Sequence, residues 1–65
     1  MQSKCKDLLE MAFPSAKIKS KKGELRFNVE MLNSESLNSL SIIEGMSKDL
    51  YIKRSGTGIV IILIF

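Results

Sequence analysis

Three features of this chain are candidates for chemistry: a lone thiol, a glycine-rich turn, and an uneven set of lysines and arginines. Cys5 is the single cysteine, and histidine is absent. A serine or cysteine nucleophile needs a neighbouring base, usually an imidazole, and none is available. Cys5 falls on the apolar stripe of an expected helix, where burial raises a thiol's pKa and makes it inert. The carboxylates are scattered, with no close pair suited to acid–base catalysis or to a hard cation. The residues therefore predict neither an enzyme nor a metal or other cofactor.

The turn Ser55-Gly56-Thr57-Gly58 follows Lys53 and Arg54, and glycine-rich turns can cradle phosphate with their backbone amides. It comes after a strand, as a phosphate loop does. It leads into another strand, however, and the Gly-Lys-Ser/Thr ending of a nucleotide-binding loop is missing. A hairpin turn is the expectation, with Lys53 and Arg54 beside it as a weak anion site.

The basic residues are more informative. The net charge is only +3, but Lys17, Lys19, Lys21, Lys22 and Arg26 cluster against the single acid Glu24. The stretch 27–47 carries Glu30, Glu35 and Glu44 and no base, and Lys48, Lys53 and Arg54 then outweigh Asp49. If helices cover the other side of a sheet, then Lys17, Lys19, Lys21, Arg26, Asn28, Tyr51 and Lys53 project from its open face. Together with Lys22 and Arg54 these basic residues are candidate contacts for nucleic-acid phosphates. Two points count against that partner. Tyr51 would be the main aromatic on the face, whereas single-strand binders stack several bases. Strand lysines also serve simply to discourage edge-to-edge aggregation. The residues match neither the ribonucleoprotein aromatic motif nor the Gly-x-x-Gly clamp.

The elements that position these groups follow from periodicity. Cys5, Leu8, Leu9 and Ala12 form a helical stripe over 3–12, closed by Phe13-Pro14 because the residue before proline is driven out of the α region. Residues 16–20 alternate as a short strand, Lys21-Lys22-Gly23-Glu24 makes a turn, and Leu25, Phe27, Val29 and Met31 alternate with Arg26, Asn28 and Glu30 in a second strand. Asn33-Ser34 supplies a helix cap, Glu35 a favourable first-turn charge, and Leu37, Leu40 and Ile43 a stripe that Ile42 widens, with Gly45 as the stop. Residues 49–54 return to strand character. The order α-β-β-α-β-β predicts an α+β fold: a two-layer α/β sandwich with a four-stranded, mainly antiparallel sheet and two helices on one face. That order alone assigns no function.

The last element carries the strongest signal. Ile59-Val60-Ile61-Ile62-Leu63-Ile64-Phe65 is unbroken apolar sequence, dominated by β-branched residues, and a strand of this kind asks for cover on both faces. It belongs in the sheet interior. The helices cover one face; on the other, Val60, Ile62 and Ile64 form a stripe beside Tyr51 that needs a partner.

Length bounds the partner. The 65 residues make a single domain, 1–65, near the lower limit for independent folding, and one cysteine excludes an internal disulfide. Self-association, with a dimer favoured, is the expected remedy, the stripe being buried against a second copy, against another protein, or under further chain. A lone thiol fits a reducing compartment. The first fifteen residues read as a mixed-charge amphipathic helix, not a signal peptide, and the final run is too short for a bilayer-crossing helix. The expectation is a soluble, cytoplasmic, non-catalytic binding or regulatory protein, an adaptor or inhibitor without a membrane role. The alternative is a nucleic-acid-binding module using the first hairpin and the open sheet face.

Overall fold

The computed structural model describes residues 2–65, so Met1 of the expected domain lies outside the described residues. Helix α1 spans Gln2–Ala12, strand β1 Lys19–Lys21, strand β2 Glu24–Val29, helix α2 Ser34–Glu44, strand β3 Asp49–Ser55 and strand β4 Gly58–Ile64. The strands pair antiparallel throughout in the order β1-β2-β4-β3. This is the expected α-β-β-α-β-β sandwich, and its apolar last strand occupies an interior position.

The core follows from register. Leu25, Phe27 and Val29 stand opposite Leu63, Ile61 and Ile59, and Leu50 opposite Leu63 from the other side. Residues directly opposed in an antiparallel pair share a face, so these side chains all point toward the helices. There they meet Cys5 and Leu9 of α1 and Leu40 and Ile43 of α2 in one buried cluster. Phe13, just past α1, lays its ring 5.1 Å from that of Phe27, tilted by 45°.

Polar groups fix the ends of the helices. Asn33 caps α2, its side-chain oxygen accepting from the Ser36 amide at 2.8 Å. Asn33→Ala should lower stability by about 1 kcal/mol; urea denaturation giving no change would show that the cap contributes nothing. Gly45 ends α2 as expected but by another route. Its φ is −62°, in the right-handed region, and the chain tightens through Met46 N–H to Ile43 and Ser47 N–H to Glu44. At the start of α1, Gln2 reaches into the first hairpin. Its amide nitrogen donates to the Lys21 and Glu24 carbonyls, and its oxygen accepts from the Gly23 amide at 3.1 Å.

Some boundaries shift. The first strand begins at Lys19, not residue 16, because only Lys19, Ser20 and Lys21 have partners on β2. Ala16 and Ile18 still pack against the core, as their alternation implies. The α2 stripe is narrower than its spacing suggests. Leu40 and Ile43 are buried, while Leu37 is half-exposed and Ile42 is 67% exposed.

Candidate interaction surface on the open sheet face

The pairing registers place the side chains of the uncovered face in rows. Lys21, Glu24, Ile64 and Asp49 make one row, and Lys19, Arg26, Ile62 and Tyr51 the next. Asn28, Val60 and Lys53 make the third. The expected open-face residues Lys19, Lys21, Arg26, Asn28, Tyr51 and Lys53 thus share one face with Val60, Ile62 and Ile64. Lys17 precedes β1 and lines a shallow cleft with Lys19, Arg26 and Asn28.

Two candidate cations fall elsewhere. Arg54 stands opposite Ile59, which packs with the core, so it belongs to the helix-side face. Lys22 sits in the first hairpin turn. Lys53 and Arg54, adjacent in sequence, therefore point to opposite sides of the sheet, as strand alternation requires. The neighbouring Gly56-Thr57 turn closes the pair Ser55–Gly58. Gly56 has φ +60° at the first central position, the conformation of a tight two-residue hairpin turn.

The apolar stripe proves narrower than its composition implies. Ile62 is only 7% exposed although it faces away from the core. Its direct neighbours on that face are Arg26 and Tyr51, and cross-strand side chains at ~5 Å spacing can lay their long stems over a smaller residue between them. Val60 and Ile64 are half-buried at either end. The chain thus covers by itself much of the face expected to need a partner.

Ion pairing on this face is slight. Arg26 Nε lies 3.6 Å from Glu24 Oε2, and the Tyr51 hydroxyl donates to Asp49 Oδ2 at 3.4 Å. These exposed contacts leave Lys19, Lys21 and Lys53 as an electropositive border around a narrow aliphatic centre.

Other exposed apolar groups were less legible in the sequence. Met11, 80% exposed, and Ile42 border a groove of about 280 Å³ between the helices, floored by Leu8, Ala12 and Ile43. Met11 sits one residue before the stripe position Ala12, and nothing in its spacing announces a surface role. Ile52 of β3 is 49% exposed on the helix-side face, opposite the fully buried Ile61. The helices cover Leu50 of this outer strand but leave Ile52 largely open.

Cys5 is fully buried in the core. Burial pushes its thiol above the ordinary value, against a smaller downward pull from the charge of Lys4. A raised folded-state pKa means that the unfolded chain releases the proton first. Stability from this group is therefore complete below the ordinary thiol pKa and is lost as pH rises from there toward the raised folded-state value. Native Cys5 should react with a thiol reagent only as fast as the chain opens, which comparison of labelling with and without denaturant will check.

No described helix is long and apolar enough to cross a membrane. No protein-family model matches the chain, and no curated protein matches it.

Proposed function

We propose that this chain is a small non-catalytic binding protein that self-associates and acts by contact with another protein surface, as an adaptor or inhibitor would. One observation carries the reading: large apolar side chains are exposed on a folded chain whose core is already filled. Tyr51 and Ile52 on β3 and Met11 and Ile42 on the helices contribute no core packing. Such groups are worth burying at an interface, where aromatic, aliphatic and methionine anchors commonly supply the binding energy. A soluble, cytoplasmic setting belongs to the same proposal and accords with a single buried thiol.

Light scattering on a size-exclusion column tests self-association. The expected result is a mass above the 7.3 kDa of one chain at micromolar concentration. A monomer at every accessible concentration would remove self-association from the reading.

A second reading has its own support. The register brings Lys19, Lys21, Arg26 and Lys53 onto one face, with Lys17 at its margin. Such a face can meet phosphates without reading sequence. Under this reading, single-stranded and duplex oligonucleotides bind at low salt. Removing the charges of Lys17, Lys19 and Lys21 then weakens binding and flattens its salt dependence. Absence of retention at 20–50 mM salt, a range where phosphate contacts are strong, would dispose of it.

A further inference from the structure

We propose that two copies of this chain join edge to edge through β3, antiparallel and centred on Tyr51, to form one continuous sheet. The inference rests on the self-association reading above and names the surface and register that produce it.

The sheet has two edges, and they differ. β1 is the three-residue segment Lys-Ser-Lys, short and like-charged, which are two of the devices that discourage strand addition. β3 is seven residues long, contains no proline, and has no strand on its outer side among the described residues. Its middle is Leu50-Tyr51-Ile52, with Tyr51 48% and Ile52 49% exposed. An acid, Asp49, begins the strand, and cations, Lys53 and Arg54, follow its apolar centre. A strand negative at one end and positive at the other is complementary to an antiparallel copy of itself.

Backbone geometry restricts the register. Ser55 and Gly58 flank a two-residue turn and so form a hydrogen-bonded pair. Alternation then directs the amides and carbonyls of Lys53, Tyr51 and Asp49 toward β4, and those of Leu50, Ile52 and Arg54 outward. A two-fold axis normal to the sheet keeps each side chain on its own face, so it must pass through a residue, not between two.

Centring it on Tyr51 sets Leu50 opposite the partner's Ile52 twice, with both residues offering outward backbone groups to each other. On the helix side this gathers four aliphatic side chains. On the open side Tyr51 meets the partner's Tyr51 at the closer, non-hydrogen-bonded spacing, flanked by Asp49 opposite the partner's Lys53 on either side. Lys48 precedes the strand and its amide turns inward to the Ile64 carbonyl, so the paired segment ends at Asp49 and Lys53 and leaves Arg54 at its solvent-exposed margin.

The neighbouring registers are poorer. Centring on Ile52 sets Leu50 against the partner's Arg54, and centring on Lys53 opposes two lysines. Centring on Leu50 places Asp49 against the partner's Tyr51 and leaves the partner's Ile52 beyond the start of the strand, with nothing to pair with.

Charge reversal tests the register in the full chain. Asp49→Lys and Lys53→Asp should each weaken the dimer about tenfold or more, because two cross-strand pairs change from attraction to repulsion. The double variant should restore it, since reversal of both charges preserves their complementarity only where position 49 faces position 53 of the partner. Both side chains are exposed, and circular dichroism checks that each variant folds. In parallel, Tyr51→Cys should form an intermolecular disulfide readily, because the non-hydrogen-bonded Cα spacing of ~4.5 Å lies within disulfide range. Sedimentation equilibrium gives the association constants.

Loss with each single reversal, rescue in the double variant and cross-linking at position 51 are the expected result. A dimer indifferent to Asp49 and Lys53 but broken by Ile64→Lys would keep self-association and overturn the β3 register, as would cross-linking through Ile52→Cys in place of Tyr51→Cys. A wild-type chain that stays monomeric overturns both this inference and the self-association on which it rests.

Discussion

Phe27→Ala is expected to leave the chain largely unfolded at room temperature. Phe27 is 1% exposed, with Leu25 and Val29 on the same face of β2 and Ile61 directly across the pair with β4. Its ring also abuts that of Phe13, so the substitution removes an aromatic contact together with buried area. Truncating a buried phenylalanine costs about 3–5 kcal/mol, including the cavity left behind. A domain of this size holds only about 3–10 kcal/mol in total. The loss therefore rivals the whole stability of the fold. Phe27→Leu retains most of the apolar volume and should keep a cooperative transition at a lower midpoint. Urea denaturation followed by circular dichroism distinguishes the two. A cooperative Phe27→Ala protein within 1 kcal/mol of wild type would mean that the Phe13–Phe27 contact and the core around it contribute far less than their burial implies.

The elements of this core were legible because their signals are local. Alternation at Leu25, Phe27 and Val29, the proline after Phe13 and the capping Asn33 each act within a few residues. The unbroken apolar run of β4 announced an interior strand, since an edge position would expose one of its backbone rows. Burial that depends on neighbours from other strands was not legible. Ile62 looks no different from Val60 or Ile64 in sequence, yet it alone lies directly between Arg26 and Tyr51. Only the register shows that these longer side chains flank it.

The same reason accounts for α2. Leu37, Leu40 and Ile43 share a helical stripe, but the helix presents Leu40 and Ile43 to the core and leaves Leu37 half in solvent. Helix orientation is set by packing, and a modest intrinsic propensity gives the periodic pattern little authority over it. The basic face was legible through alternation, which leaves Arg54 off it, and Arg54 entered only as a further phosphate contact beside Lys53. The odd–even rule sends Arg54 and Lys53 to opposite faces, so the two cannot form one anion site beside the turn. The exposed β3 edge required the strand order, which α-β-β-α-β-β does not fix.

Two substitutions on β4 separate what the fold requires from what an interface would use. Ile61→Lys should abolish folding. Ile61 is fully buried between Phe27 and Ile52 in the cross-strand row, and a lysine there would bring an unpaired ammonium into an apolar layer. Burying such a charge costs several kcal/mol, or forces the group to neutralise or the chain to open. Ile64→Lys, three residues away on the opposite face, should fold with a loss of about 1 kcal/mol or less. Its cross-strand neighbours are Glu24 and Asp49, so the new ammonium would stand between two carboxylates while its stem retains part of the apolar contact. The direction of charge matters: Ile64→Asp would place a third acid in the same row and should be less stable than Ile64→Lys. Thermal denaturation of the three variants checks the order. If Ile61→Lys and Ile64→Lys lost stability equally, the two faces of β4 would be equally buried, and the division into a core face and an open face would fail. With the expected order, a charge at Ile64 alters the open face without dismantling the fold, which is what makes it a usable probe of whatever docks there.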